Sequence, residues 1–416
     1  MTTTPATPGW SRRHLLRSGA TALGSAGVGW TLGAALAPGA STGATPAPSP
    51  SGSGSGSGLG VPIGNEIVPF HGAHQAGVAT PPAAYLSLLG LDLKKGRGRD
   101  DLARMMRLLS DDASRLSTGA GALADTEAEL GAKPASLTTT FGFGPRVMAM
   151  TSATGGQVEP LPAFGTDALE EAWGQTDVVI QICADDPMTL AHARRMLLKD
   201  SAAFTTLRWC QDGFRRARGI ESDGTTPRNV MGQVDGTVNP AETDTDFSEL
   251  IWSDAADFAG GTFMVVRRIR ALMTTWDEVD RPSREAAVGR RIDNGAPLTG
   301  TNEFDDPDFK AVNAAGLPII DAASHIARAR PMTTKERFLR RPYNYTVTDP
   351  SIDIGEDAGL VFIAYAASIP EQFVPVQRRL AETDLLNEWT VAIGSAVYAV
   401  PPGAADGEYV GQRIFG

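Results

Sequence analysis

Cysteine and histidine are the residues this chain has least of. Among 416 residues there are two cysteines, Cys183 and Cys210, and five histidines. Two thiols cannot build a disulfide framework or a cysteine-based zinc site. Both lie in or beside strand-like runs, where buried free thiols are common; a single disulfide or redox couple is the competing reading. Excess positive charge is lacking as well. The net charge is −11, and the first 58 residues contribute +3 of it through Arg12, Arg13 and Arg17 with no acid, so the remainder carries −14. A body that acidic argues against nucleic acid or an anionic membrane as the main partner. Long, strongly apolar runs are missing too: residues 18–37 are diluted by glycine and alanine below the hydrophobicity of a good membrane span. With 42% hydrophobic and 20% charged residues, the rest has the composition of a globular protein. Its length allows one large domain or two of ordinary size.

What is present begins with Ser11-Arg12-Arg13-His14-Leu15-Leu16-Arg17, followed by the weakly apolar run. Paired arginines in that setting resemble a twin-arginine export signal, here residues 1–40. The expectation is a protein exported already folded, with a cofactor inserted beforehand. Its destination is the extracellular space, periplasm or cell envelope, with no stable span once the signal is removed. Residues 41–60 are mostly Pro, Ala, Ser and Gly, ending in a Ser-Gly repeat, and form a flexible linker.

The folded part reads as one plan used twice, over 61–230 and 231–416. In the first half a strand at 84–91 precedes a helix over 100–116 with apolar residues at helical spacing (Leu102, Met105, Met106, Leu109). Strands follow at 136–141 and 177–183, then a helix through Leu190, Ala193 and Leu197, then a strand at 204–209. In the second half comparable runs recur at 262–269 and 359–365, then a helix over 371–380 and a strand over 389–400. A β-α-β-β-α-β order, twice, predicts an α+β fold of duplicated ferredoxin-like halves, antiparallel sheets with helices on one face. The strands of Cys183 and Cys210 would not be neighbours in that topology, which argues against a disulfide.

Met231-Gly232-Gln233-Val234-Asp235-Gly236-Thr237 places an acid between two glycines. The segment is either a surface turn, since Asp-Gly is a common turn pair, or a site where glycine lets backbone approach a bulky ligand. Among the histidines, His192 neighbours Arg194, Arg195 and Lys199 and reads as a surface residue. His71 and His74 read as loop residues making structural hydrogen bonds. His325 sits in an apolar segment, 319–328, that looks buried. Fifteen residues on come Arg340 and Arg341.

Gly232-x-x-Asp235-Gly236, then His325, then Arg340, resemble the signature of the dye-decolorising peroxidases, in the exported branch that includes the deferrochelatase-like proteins. Segments 70–81, 260–270, 295–298 and 372–402 are similar to that family too, so the resemblance runs from about residue 65 to the end. It implies one haem b per chain, set between sheet and helices of the C-terminal half, with His325 as the proximal metal ligand. Such a ligand usually donates its other N–H to a carboxylate; Glu388 is the candidate, with Asp384 next. Gly236, Phe362 and Arg341, the last toward a haem propionate, complete the expected cofactor-binding set. Asp235 would move the proton of hydrogen peroxide and Arg340 would stabilise developing negative charge. The implied activity is peroxide reduction through a ferryl intermediate with oxidation of an organic, phenolic or dye substrate, best at acid pH. Iron release from haem, or a part in iron uptake, is the alternative, and a haem carrier without catalysis a third. The sequence departs from many members at Gln233-Val234, where they carry an aromatic and a lysine. Electrons from bulky substrates would need surface aromatics, by type Trp389, Tyr398, Tyr345 or Trp209. An oligomer is compatible with all of this.

Overall fold

The computed structural model describes residues 63–222, 224–352 and 355–416. The expected export signal (1–40) and linker (41–60) lie outside the described residues. From Gly58 onward the chain forms one unit, and no described helix is long and apolar enough to cross a membrane.

The N-terminal half contains β1 (Tyr85–Leu93), α1 (Arg99–Ser117), β2 (Thr138–Phe143), β3 (Val178–Ala184), α2 (Pro187–Ser201) and β4 (Thr205–Phe214). Its strands lie in the order β4-β1-β3-β2, all antiparallel. The two helices form where their sequences start them. Asp101 accepts from the Gly98 N–H ahead of α1; Asp186 caps α2 through the Thr189 N–H, with Pro187 in its first turn. Leu102, Met105, Met106 and Leu109 on α1 and Ala193 and Leu197 on α2 are fully or almost fully buried. Each large apolar side chain so placed contributes about 1.5–3 kcal/mol. Gly90 interrupts the register between β1 and β4 because the Trp209 indole lies against it; a Cβ there would stand 2.2 Å from the ring.

The C-terminal half repeats the plan with β5 (Thr262–Ala271), β7 (Tyr343–Thr348), β8 (Glu356–Ala366) and β9 (Thr390–Val400), in the equivalent order β9-β5-β8-β7. A two-residue strand, β6 (Leu339–Arg340), adds to β8. The sheets meet at two single bridges, Phe143 to Ala399 and Phe214 to Asn344, which close the strands into a ring. Leu86, Leu88, Cys183, Met264, Tyr343, Val361, Ile363, Tyr365 and Tyr398 fill its interior. Both cysteines are free, Cys183 buried on β3 and Cys210 half-buried on β4, with β1 between them.

Two sequence expectations change here. β7 went unread because only Tyr343, Asn344 and Tyr345 are buried and its last three residues are exposed, so no alternation marks it. His192 is not a surface residue. It is 3% exposed, and its Nε2 meets Asp125 Oδ2 at 2.7 Å. The neighbouring basic residues reach solvent while the ring turns inward against a capped loop.

Candidate active site

The insertion between β5 and β7 carries α3 (Arg281–Val288) and α4 (His325–Ala329); after β8 comes α5 (Val374–Thr383). His325 is the first residue of α4, and Ser324 before it is fully buried. α4 packs on α5, whose C-terminal residue is followed by Asp384. Asp384 serves two purposes. Its Oδ1 accepts from the Leu386 N–H at 3.0 Å, capping the turn that follows, and its Oδ2 meets His325 Nδ1 at 2.6 Å. Burial alone would lower the imidazole pKa, but the Asp384 carboxylate outweighs it and raises it above the ordinary value. The hydrogen bond fixes Nδ1 as the donor. Nε2 has no partner among the described residues, and the side chain is 35% exposed. Glu388, expected in this role, is exposed at the end of the 385–388 turn. Asp384 takes the place because helix capping already pins its carboxylate beside α4.

The acid loop is organised by asparagines. Arg228 and Val234 bridge across it, and Asn229 lies inside. Asn229 Oδ1 accepts from the N–H groups of Met231 and Gln233, both at 3.1 Å, and its Nδ2 donates to Asp235 Oδ2 at 3.3 Å. Asn344 on β7 ties the loop to the sheet through Val230 N–H and Arg228 C=O. The buried Trp276 indole donates to the Met231 carbonyl at 3.1 Å. Gly232 has φ +90° and Gly236 φ +140°, so both glycines are required by a backbone conformation that other residues adopt at a cost. Open space surrounds Gly232, so chain direction and not close packing explains it.

Arg340 on β6 pairs with Ala364 of β8, two residues from Phe362 on the same sheet face. Asn239 clamps its backbone, accepting from the Arg340 N–H at 2.8 Å and donating to its carbonyl at 3.0 Å. Its Nη1 stands 3.5 Å from Asp235 Oδ1, with both side chains about one quarter exposed (24% and 25%). The charges of Asp235 and Arg340 both bear on His325, so three elements bring these residues around one space. Phe338, Phe362 and Phe373 pack edge to face or tilted on one another. Arg341 does not join them. The next residue after β6, it turns inward to 4% exposure, and its guanidinium donates to the carbonyls of Thr80 and Pro81. That position corrects its assignment to the cofactor.

The sequence reading missed Asn229, Asn239 and Asn344. The only trace of them was side-chain amides flanking the motif and the arginine pair. His71 meets Ser114 Oγ and His74 meets the Gly260 carbonyl, both structural bonds. Among the described residues no three His, Cys, Asp or Glu side chains are grouped to hold a metal ion. Of the four aromatics considered for electron entry, Tyr345, Tyr398 and Trp209 are buried. Trp389 is half-buried, 5.2 Å from the Trp276 ring.

An imidazole backed by a carboxylate and an acid–guanidinium pair, on a doubled ferredoxin-like fold, are what a haem peroxidase is expected to carry. The chain belongs to the Dyp-type peroxidase family: the family's N-terminal model matches residues 75–215 and its C-terminal model residues 226–405. It is 36% identical to the dye-decolorizing peroxidase of Thermobifida fusca, over 98% of this chain and 97% of that one. It is 30% identical to the deferrochelatase of Yersinia pestis, over 83% and 84%. Among solved structures, the DyP-type peroxidase from Cellulomonas bogoriensis aligns with TM-score 0.81 and 48% identity, covering 85% of this chain and 99% of that chain. Ferric DtpA from Streptomyces lividans aligns with TM-score 0.80 and 37% identity, covering 84% and 97%.

Proposed function

We propose that this peroxidase binds one haem b per chain with His325 Nε2 toward the iron, and that Asp235 and Arg340 act on hydrogen peroxide across from it. An organic or phenolic reductant completes the cycle. The observation that carries the reading is the paired commitment of His325: Asp384 holds Nδ1, leaving Nε2 as the available donor. Bound haem supplies the metal at which peroxide is reduced and stores the oxidising equivalents. Everything else falls to side chains. The Asp384 carboxylate keeps the Nδ1 proton in place and strengthens donation from Nε2. Asp235 takes the proton from one peroxide oxygen and returns it to the other as their bond breaks. Its contact with Arg340 at 3.5 Å is loose, which leaves carboxylate lone pairs free for that proton. Arg340 remains cationic throughout and offsets negative charge on the departing oxygen.

The distal pair favours peroxide chemistry over simple carriage, since a carrier needs His325 but has no use for Asp235 and Arg340. Iron release, the function in the deferrochelatases' name, is the second reading, supported by their 30% identity. An absorption spectrum of the purified protein before and after one equivalent of peroxide separates the two. A Soret band that shifts with peroxide and returns on adding a phenol supports the proposal. Release of iron-free porphyrin supports the alternative. We also propose that residues 1–40 direct export by the twin-arginine route; replacing Arg12 and Arg13 with lysine should retain the protein in the cytoplasm.

A further inference from the structure

A cavity of ≈ 290 Å³ lies where residues 68–80 meet residues 242–252, lined by apolar groups that include Ala76, Ala79 and Phe247. His74 and Glu242 bring its free polar groups. The His74 ring stacks on Trp252 at 3.6 Å between centroids and 9° between planes, and its Nδ1 is 2.8 Å from the Gly260 carbonyl. A carbonyl only accepts, so Nδ1 carries the hydrogen and Nε2 of the neutral ring is an acceptor. Stack and hydrogen bond together fix where that lone pair points. Gln75, also in the wall, has both amide hydrogens committed to the Phe141 and Pro401 carbonyls. Glu242 is exposed and is engaged by no other described side chain. The cavity therefore presents two acceptors, the second ring nitrogen of His74 and the Glu242 carboxylate, against an apolar wall.

We infer that this cavity binds a single-ring aromatic molecule bearing two hydrogen-bond donors, such as a diphenol or aminophenol. A dry cavity of about 150 Å³ accepts benzene, so the space here suits one ring with its substituents. Glu242 repels anions, and a ring without donors leaves both acceptors unpaired. Hydrogen bonds tie the walls to the segment that carries Arg340 and Arg341. Glu242 follows three residues after Asn239, the clamp on Arg340, and the Thr80 carbonyl accepts from Arg341. The site would hold a reductant of the proposed class away from His325, and the inference goes beyond the peroxidase reading because binding there needs no peroxide.

Calorimetric titration of the full chain with hydroquinone, without peroxide, tests it. We expect one saturable site, weakened at least about tenfold by Glu242→Ala or His74→Phe, with the haem absorption of both variants unchanged. The donor-free ether 1,4-dimethoxybenzene should bind at least about tenfold more weakly than hydroquinone. Glu242→Ala alters an exposed residue, so it remains informative if His74→Phe folds poorly. Three results would overturn the assignment: no saturable binding, equal affinity in wild type and Glu242→Ala, or displacement of hydroquinone by cyanide, which would place the ring at the haem iron. Failure of the peroxidase reading would show separately, as a spectrum unmoved by peroxide.

Discussion

Each half of the molecule holds one histidine against one aspartate, and the two pairs differ in what the second ring nitrogen meets. In the N-terminal half His192 Nε2 is 2.7 Å from Asp125, with side chains 1% and 0% exposed, and its Nδ1 is buried without a partner. In the C-terminal half His325 Nδ1 is 2.6 Å from Asp384, with side chains 35% and 4% exposed, and its Nε2 remains available. The pairing chemistry is the same. The surroundings differ because α1 and α2 pack directly on the first sheet through a continuous apolar face, whereas the insertion after β5 replaces the first helix of the second half. A histidine–carboxylate pair becomes a ligand only where the fold leaves its far nitrogen something to bind.

That contrast can be broken at either end. His325→Ala should weaken haem binding at least about 100-fold, read as Soret absorbance per protein, because it removes the proposed ligand. Asp384→Asn should cost about 10–100-fold in haem affinity, since it removes the group that orients the ring. Glu388→Gln should change nothing in the same assay, and a loss there would return the carboxylate role to Glu388. His192→Ala should leave haem content intact but destabilise the fold by about 3–5 kcal/mol in denaturant titrations, the usual cost of stranding a buried partner. The smallest effect concerns pH. Burial and the facing Asp112 carboxylate raise Asp200 to about 6 from 3.8, with Asp125 adding to the rise and Lys199 opposing it. An acid whose folded pKa is raised costs stability once it must ionise. The Asp200 contribution is therefore neutral below pH 3.8, becomes unfavourable as pH rises toward 6 and levels off above, so Asp200→Asn should raise stability relative to wild type above pH 6 and make no difference below pH 3.8.

The doubled fold was legible because apolar periodicity survives in both halves, as in Leu102, Met105 and Met106 of α1 and in the long runs of β5, β8 and β9. β7 escaped because half of its residues face solvent. The site was legible where function imposes unusual residue types in order, as at Asp235, His325 and Arg340. It was illegible where the deciding factor was three-dimensional. On paper Glu388 ranks ahead of Asp384, and only the helix cap at Asp384 reverses that order. Arg340 ends a two-residue strand that no periodicity announces, and Arg341, the next residue, turns to the opposite side. The asparagines that hold the acid loop carry no charge and belong to no motif. The glycines were noticed for the right positions, but the reason lies in positive φ, a property of the backbone path.

The central claim is that Asp235 moves the peroxide proton in the site that His325 anchors. Rapid mixing of the haem-loaded protein with one equivalent of peroxide, followed by absorbance, tests it most directly in Asp235→Asn. The account predicts a haem content like wild type and a spectral change at least about 100-fold slower. A variant that responds to peroxide at the wild-type rate would contradict it.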